Sequence, residues 1–168
     1  VTEDQVLSLF IPNTYEIYWN TDEERFRKRM LGEYQLFWNT KRRKKAQAIG
    51  LNPLEVSALA AVVQKESVKV SERPTIAGVY LNRLKRKIPL QADPTVIFAK
   101  KLLDGDFQQL IRRVLYKDLT LDSPYNTYKY SGLPPGPITM PDISSIDAVL
   151  NAEVHDYFYF VADPERPG

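Results

Sequence analysis

The arrangement of apolar residues predicts one helix, near the middle of the chain, that is buried on all sides. Residues 56–63, VSALAAVV, are apolar almost all the way round a helix, which is typical of a helix enclosed by its own protein. Asn52 suits the N-cap, Pro53 fits the first helical position, and Glu55 completes a capping box. The pattern therefore predicts a helix that begins at Pro53 and ends near Glu66.

Further helices are predicted where apolar residues recur at the helical period. The first follows a capping box from Thr21 to Glu24 and runs into KRRKK at residues 41–45; its apolar stripe is Phe26, Met30, Tyr34, Phe37 and Trp38. The next is expected after Ser71 as a cap, with Ile76, Tyr80 and Leu84 at helical spacing. Another is expected after Asp93 as a cap, with Pro94 in the first position. Two more are expected over residues 106–116 and after Ser144 or Ser145.

Extended segments are predicted at both ends of the chain. Residues 10–19, FIPNTYEIYW, and residues 156–163, DYFYFVAD, combine aromatic and β-branched residues. Residues 121–141 are rich in turn-forming residues and predict an irregular loop. Helices in the middle with strands at the ends indicate a single α+β domain over residues 1–168, in which several helices pack with a small, mostly antiparallel sheet.

Composition restricts the chemistry that this domain can carry out. The chain has 168 residues, 43% hydrophobic and 26% charged, which suits one globular domain. It contains no cysteine and a single histidine, His155, so disulfides, thiolate metal sites and a histidine-rich metal centre are excluded. His155 is expected at the surface before the last strand, and Asp104–Asp106 is expected to be a polar turn. No glycine-rich phosphate loop is present either, and a carboxylate-only Ca²⁺ or Mg²⁺ site at Asp104–Asp106 is the alternative to the polar turn.

The basic run at residues 41–45 allows two interpretations. Basic side chains offset the partial negative charge at a helix C-terminus, so the run fits a solvated helix end. The alternative is a patch for a polyanion such as nucleic acid, lipid headgroups or an acidic glycan. A net charge of only +2 makes the polyanion interpretation the weaker one.

Glu66 is the residue whose position most needs an explanation. It continues the apolar face of the buried helix, and burying an unpartnered carboxylate costs several kcal/mol. The apolar flank and the helix C-terminus are both expected to raise its pKa, whereas Lys65 acts in the opposite direction. A carboxyl that stays protonated near neutral pH can be a general acid. The alternative is a frayed last turn, in which Glu66 points to water or pairs with a lysine.

The tyrosine-rich loop supplies groups that suit a sugar. Residues 125–130, YNTYKY, place aromatic faces beside amide and hydroxyl groups, which match the C–H faces and hydroxyls of a sugar ring. The same loop is also compatible with a packed surface turn. Arg83 can clamp a carboxylate or pair with a neighbouring acid, and Asp93 can contact a substrate or cap its helix.

Several of these segments together resemble one known family. The segments AAVVQKES, SERPTIAGVYLNRLKRKIPLQADPTVIFA, SPYNTYKYSGLPPGPI and YFYFVAD resemble the endolytic murein transglycosylases of the YceG-like family, over about residues 10–163. The resemblance implies an enzyme that cuts peptidoglycan strands between N-acetylmuramic acid and N-acetylglucosamine and leaves 1,6-anhydro ends. A glutamate followed by Ser or Thr is shared by lytic transglycosylases, and here it is Glu66–Ser67.

The resemblance also implies roles for individual residues. Glu66 would be the catalytic acid and base, and no metal or other cofactor would be needed. The residues expected to line the substrate cleft are Ser67, Asn82, Arg83, Gln91, Asp93, Thr95, Tyr125, Asn126 and Tyr128. Many relatives have a glutamate two residues before the catalytic one, where this chain has Gln64, so Glu66 is the candidate.

The same resemblance implies a cellular setting. The membrane helix and LysM-like part of the family, and a strand after residue 163, are not in this sequence, so we expect a fragment of a larger, membrane-anchored enzyme. Its catalytic domain would face the periplasm or the cell exterior. Its partners would be peptidoglycan strands and peptidoglycan synthases, not nucleic acid. A catalytically silent glycan-binding module is the alternative function.

Overall fold

The computed structural model describes residues 2–161, and this part of the chain is helical. It contains six α-helices and three short 3-10 helices. The α-helices are α1 (Glu23–Phe37), α2 (Thr40–Ala48), α3 (Pro53–Glu66), α4 (Arg73–Lys85), α5 (Asp93–Asp104) and α6 (Ile143–Leu150). The 3-10 helices are Glu3–Leu9, Val70–Glu72 and Tyr116–Thr120.

Helix α3 is the centre of the core. Its residues 56–63 are all buried, and α2, α4, α5 and α6 pack around it. The Asn52 side-chain oxygen accepts hydrogen bonds from the N–H groups of Leu54 and Glu55, and the Glu55 carboxylate accepts one from the N–H of Asn52 at 2.8 Å. The prediction for this helix, with its capping box and both ends, is confirmed.

The predicted sheet, and with it the α+β fold class, is wrong: the described residues form no strand. Residues 10–19 form no strand but an irregular segment, in which the Tyr15 hydroxyl donates a hydrogen bond to the carbonyl oxygen of Ile11. Residues 156–161 also form no strand, and the last two residues of that predicted strand, 162 and 163, lie outside the described residues.

The segment of residues 153–161 explains why the strand prediction failed. It lies along α4, and its carbonyl oxygens accept hydrogen bonds from helix side chains instead of from another strand. Asn82 donates to the carbonyl oxygens of His155 and Tyr157 at 2.7 and 3.0 Å. Arg83 donates to that of Phe158 at 2.7 Å. The aromatic and β-branched residues that predicted a strand therefore belong to a segment that packs on a helix.

Several predicted helix boundaries also differ from the structure. Trp38, which is 1% exposed, ends α1, and Asn39 caps a new helix by accepting a hydrogen bond from the N–H of Arg42. The basic run therefore lies within α2. Asp22 caps α1 in place of Thr21. The predicted caps Ser71, Asp93, Ser144 and Ser145 do not act as N-caps; α6 is capped by Asp142.

The helix predicted over residues 106–116 is absent, and the segment runs as a turn and irregular chain. Gly105 ends α5 in the left-handed conformation, with φ of 66°. The Asp106 side chain then accepts a hydrogen bond from the N–H of Gln108, and such local bonds compete with helix formation. Asp104–Asp106 is a polar turn, as predicted, and residues 121–141 are irregular, as predicted.

The basic run contributes to packing between α2 and α6. Arg42 donates to both carboxylate oxygens of Asp147, and Lys45 donates to the side chain of Asn151. Arg43 donates to the carbonyl oxygen of Trp38 at 2.7 Å. These contacts favour the structural interpretation of the run.

Among the described residues, no single helix is both long and apolar enough to cross a membrane. Helices α2 and α3 would reach that length and apolarity only together, and they are bent by 73° at their junction.

Candidate active site

Glu66 is the last residue of α3 and is half-buried. The hydroxyl of Tyr80 donates a hydrogen bond to Glu66 Oε1 at 2.7 Å. Tyr80 lies on α4 and is 1% exposed, so the helix packing fixes its hydroxyl. The carboxyl group is therefore held in one orientation beside the core, and the frayed last turn is not what the structure contains.

Burial raises the pKa of the Glu66 carboxyl above its ordinary value. The hydrogen bond from Tyr80 acts in the opposite direction, the charge of Asp93 raises the pKa, and the charge of Arg83 lowers it. The net pKa is raised, as the sequence predicted, and burial is the largest cause.

Glu66 opens onto a cleft with a volume of about 260 Å³. Four of the predicted cleft residues, Arg83, Gln91, Asp93 and Tyr128, lie in it together with Glu66. They come from α3, α4, the start of α5 and the irregular loop. The remaining lining residues are Tyr80, Leu90, Tyr159 and Phe160.

Asp93 and Tyr128 form a hydrogen-bonded pair in the cleft. The Tyr128 hydroxyl donates to Asp93 Oδ1 at 2.6 Å. Asp93 is the first residue of α5 and its side chain does not cap the helix, so it is available to the cleft. Burial, followed by the bond to Asp93, raises the pKa of Tyr128, which keeps its hydroxyl a donor. The pair therefore presents the second Asp93 oxygen as an acceptor near Glu66.

Gln91 reaches the cleft from a strained backbone position. Its φ is 51°, in the left-handed region that few residues other than glycine adopt. Its N–H donates to the carbonyl oxygen of Thr127 at 3.1 Å, which ties the loop to the start of α5. Backbone strain of this kind often occurs at functional sites, which agrees with the position of Gln91 in the cleft.

Arg83 is a structural residue first. It is 7% exposed, and its guanidinium donates to the carbonyl oxygens of Phe158 and Leu90, both at 2.7 Å. It also lies 4.8 Å from the centre of the Tyr159 ring. Arg83 thus connects α4 to Leu90, just before α5, and to the 153–161 segment, and these parts form one side of the cleft.

The remaining predicted residues hold the scaffold and do not line the cleft beside Asp93. Thr95 hydrogen-bonds Thr127, and Asn126 donates to the carbonyl oxygens of Leu119 and Leu121. The Tyr125 hydroxyl donates to Asp4 at 3.0 Å. Asn82 binds the 153–161 segment, as described above. Ser67 lines a different cavity, which Glu66 also borders, and its hydroxyl donates to Glu72 at 2.8 Å.

The sequence pattern did not predict that three aromatic residues lie at this cleft. Tyr80 was assigned only to the apolar stripe of its helix, although a buried tyrosine hydroxyl needs a polar partner, and that need was the available signal. Tyr159 and Phe160 were assigned to a strand. Phe160 instead contacts Tyr80 edge to face at 5.8 Å and lines the cleft.

His155 is half-buried and is part of the scaffold. Its Nε2 lies 2.9 Å from the carbonyl oxygen of Thr75 on α4. Within residues 2–161 the structure contains no group of three or more histidine, aspartate or glutamate side chains arranged to hold a metal ion.

The fold and the site together define a helical domain in which a polar, tyrosine-lined cleft contains the Glu66 carboxyl, oriented by Tyr80 and raised in pKa, an arrangement suited to acid–base chemistry. The chain belongs to the YceG-like family, whose family model matches residues 2–167, and the resemblance drawn from the sequence is confirmed.

Individual relatives agree with this assignment. The chain is 48% identical over 104 residues to an endolytic murein transglycosylase of Bacillus subtilis, covering 62% of this chain and 27% of that protein. It is 36% identical over 156 residues to one of Streptococcus pneumoniae, covering 90% of this chain and 27% of that protein. A crystal structure of a yceG-like protein from Listeria monocytogenes superposes with a TM-score of 0.76 at 33% identity, covering 93% of this chain and 49% of that one. The chain thus spans about a quarter of the curated relatives and half of the solved structure.

Proposed function

We propose that this chain is a peptidoglycan lytic transglycosylase that cleaves the bond between N-acetylmuramic acid and N-acetylglucosamine within glycan strands. The observation that carries the proposal is the Glu66 carboxyl, held by Tyr80 at 2.7 Å and raised in pKa by burial, at the edge of a cleft. The relatives named endolytic murein transglycosylase support the choice of substrate.

In the first step Glu66 is a general acid. Its proton passes to the glycosidic oxygen, the bond from C1 to that oxygen breaks, and the leaving sugar departs with a hydroxyl. Positive charge develops at C1. The N-acetyl oxygen of the substrate can stabilise that charge, as in substrate-assisted glycosidases, so a second protein carboxylate is not required.

In the second step the ionised Glu66 is a general base. It removes the proton from the C6 hydroxyl of the same sugar while that oxygen bonds to C1, which closes the 1,6-anhydro ring. No water is consumed, and Glu66 regains its proton for the next turnover. Holding the C6 oxygen close to C1 supplies much of the remaining acceleration.

Asp93 has a supporting role in this scheme. Its negative charge lies in the same cleft as Glu66, where it favours the cationic transition state. The bond from Tyr128 fixes the orientation of the carboxylate, so little rearrangement is needed during the reaction. The same charge favours the protonated form of Glu66 before the reaction.

The test compares the chain with its Glu66→Gln variant on purified glycan strands, with products identified by mass spectrometry. We expect 1,6-anhydro ends from the parent and a loss of at least 100-fold in the variant, in line with the usual contribution of a general acid–base group. Glu24→Gln is the matched control, because Glu24 is exposed on α1 and outside the cleft, and it should leave the rate unchanged.

Three results would contradict the proposal in different ways. Products with reducing ends would mean hydrolysis. Equal rates in the parent and the Glu66→Gln variant would remove Glu66 from the reaction. Binding of strands without any cleavage would favour the glycan-binding module instead.

The cellular setting is part of the same proposal. The relatives are named for murein, a polymer outside the cytoplasm, which supports a site of action at the cell wall. We place the domain at the outer face of the cytoplasmic membrane, anchored by a segment outside this sequence, beside peptidoglycan synthases. Co-purification of the full-length protein with membranes and with a synthase, lost when the segment before this domain is deleted, tests that placement.

A further inference from the structure

A second cavity adjoins the cleft that contains Glu66. It has a volume of about 270 Å³ and shares two lining residues with the first cleft, Asp93 and Tyr128. Its other lining residues are Arg113, Val114, Leu115, Tyr116 and Leu119. Because the hydrogen-bonded Asp93–Tyr128 pair borders both cavities, a linear polymer that leaves the first cleft past this pair enters the second.

The rim of the second cavity is anchored to the body of the protein through Asp118. This residue is 4% exposed; its carboxylate accepts hydrogen bonds from the N–H of Leu115 at 2.9 Å and from Lys100 on α5 at 3.0 Å. Asn126 adds a bond to the carbonyl oxygen of Leu119 at 3.0 Å. The 3-10 helix Tyr116–Thr120 is thereby fixed against α5 and the irregular loop.

Two exposed side chains on this rim have no structural task within residues 2–161. Arg113 makes no hydrogen bond or ion pair there, yet it lines the cavity. Tyr116 is 92% exposed and offers an open aromatic face. A guanidinium suits a carboxylate, and an aromatic face suits the C–H face of a sugar.

We propose that this cavity is a distal subsite that binds a carboxylate-bearing sugar of the same glycan strand, with Arg113 on the carboxylate and Tyr116 against the ring. The proposal rests on the proposed function, because the lactyl group of an N-acetylmuramic acid without its stem peptide supplies such a carboxylate. Arg113 and Tyr116 are binding residues here and take no part in bond cleavage.

The test measures binding to the Glu66→Gln protein, which cannot turn over its ligand. The probes are glycan strands freed of stem peptides by an amidase, and the same strands with their lactyl carboxylates converted to methylamides. Arg113→Ala should weaken binding of the carboxylate form roughly two- to fivefold, the range of an exposed ion pair. The same substitution should leave binding of the methylamide form unchanged. Arg112→Ala is the matched control, since this neighbouring arginine is exposed and does not line the cavity.

A second pair of variants tests the aromatic contact separately. Tyr116→Ala should weaken binding of both probes by about two- to tenfold, since contact with the ring does not depend on the carboxylate. Tyr18→Ala, at a residue that is 85% exposed and outside the cavity, should change neither. These four residues are exposed, so the variants should unfold at the same temperature as the parent.

The results separate the two proposals. If the parent cleaves strands but Arg113→Ala binds like Arg112→Ala, the distal subsite is wrong and the proposed function stands. If Arg113→Ala loses affinity for both probes equally, the carboxylate assignment is wrong. If the parent neither cleaves nor binds strands, the proposed function fails, and the subsite fails with it.

Discussion

At the scale of single residues, the contact between Tyr80 and Glu66 sets when the acid is available. A general acid must carry its proton, so activity falls as the pH rises above the pKa of Glu66. The Tyr80 hydroxyl stabilises the ionised form and lowers that pKa, although burial keeps it raised overall. The balance between these two effects determines the basic limb of the pH–rate profile.

Tyr80→Phe removes the hydrogen bond and leaves the aromatic ring. We expect the basic limb to move to higher pH, because the ionised carboxylate loses its donor. The rate at the optimum should fall about tenfold, because the carboxyl is less well oriented. Tyr125→Phe is the control: its hydroxyl bonds Asp4, so it should leave the profile in place. A basic limb that stays fixed in Tyr80→Phe would refute the argument.

Asp93→Asn should move the profile in the opposite direction. The charge of Asp93 raises the pKa of Glu66, so its removal should shift the basic limb to lower pH. The maximal rate should also fall, by about 10- to 100-fold, because the cationic transition state loses a favourable charge. The pH–rate profiles of both variants, measured on the same strands, give the two shifts. Shifts in the same direction would contradict the assignment.

At the scale of helices, α6 is joined to α3 and α4 by a polar cluster around Arg73. This arginine is 6% exposed, and its guanidinium donates to Asp142 at 2.9 Å and to Ser145 at 2.9 Å. Gln64 accepts a hydrogen bond from the N–H of Asp142 at 2.6 Å. Gln64 therefore has a structural role in this cluster, two residues before Glu66.

Asp142 links this cluster to acid stability. Burial raises its pKa, but bonds from Ser144, Ser145 and Arg73 outweigh burial and lower the pKa to about 2, from an ordinary 3.8. Between these values the unfolded chain binds more protons, so the stability from Asp142 is present above pH 3.8 and is lost as the pH falls towards 2. Because Asp142 is 44% exposed, solvent screening reduces its contribution to roughly 1 kcal/mol.

The measurement is urea unfolding of the parent and Asp142→Asn between pH 5 and pH 2. The parent should lose roughly 1 kcal/mol more than the variant over that range. Asp122 also has a lowered pKa, held down by bonds from Tyr130 and Lys129, but it is present in both proteins and cancels. Parallel losses of stability in the two proteins would show that Asp142 carries no such linkage.

Gly78 on α4 allows the 153–161 segment to approach the helix. A Cβ at this position would lie 2.4 Å from the carbonyl oxygen of Glu153 and 2.7 Å from Nε2 of His155. Gly78→Ala should therefore displace the segment that carries Phe160. We expect activity to fall at least tenfold and the free energy of unfolding to drop by about 1–3 kcal/mol.

Gly32→Ala is the matched control for Gly78→Ala. Gly32 also lies inside a helix, but a Cβ there would meet nothing within 4 Å. This substitution should raise stability by up to about 1 kcal/mol and leave activity unchanged. Activity and denaturant unfolding of both variants test the argument, and an active Gly78→Ala protein would overturn it.

At the scale of the whole molecule, the sequence predicted local elements better than their partners. The capping box at Asn52 and the apolar face of α3 are local, so their pattern was sufficient. The 153–161 segment has the aromatic content of a strand, but its hydrogen-bond partners are Asn82 and Arg83, more than seventy positions away. No local pattern distinguishes a segment paired with a strand from one lying on a helix.

The candidate site shows the same division. Glu66 was found because a carboxylate on a buried face is locally anomalous. Asp93 and Tyr128 were candidates from their chemistry, and the family resemblance then favoured a role in the cleft over a structural one. The hydrogen bond between Asp93 and Tyr128, and the one between Tyr80 and Glu66, depend on how α4 and α5 pack against α3. Thr95 and Asn126 lie in the same motifs but are fully buried, so motif membership did not separate lining residues from supporting ones.

The same contrast predicts how stability is distributed through the molecule. Residues 56–63 are enclosed by four helices, so their amide hydrogens should exchange only through global unfolding. The N–H groups of residues 109–114 donate no hydrogen bond within the described part of the chain, so they should exchange much faster than those of residues 56–63. Hydrogen exchange followed by mass spectrometry on the Glu66→Gln protein provides the comparison. Equal protection of the two segments would contradict this distribution.

Adding amidase-treated glycan strands extends the same experiment to the distal subsite. Residues 113–116 line its rim and are held by the hydrogen bond from the Leu115 N–H to Asp118, so a bound sugar should slow exchange there several-fold. The first turn of α1, after Asp22, lies away from both cavities and exchanges by local fraying. Its exchange rate should not change when the strands are added. A ligand that binds only the folded state opposes global unfolding, and this alone slows exchange at residues 56–63. Slowing at those residues without slowing at the rim would therefore mean that the strand binds without ordering the rim, which contradicts the distal subsite.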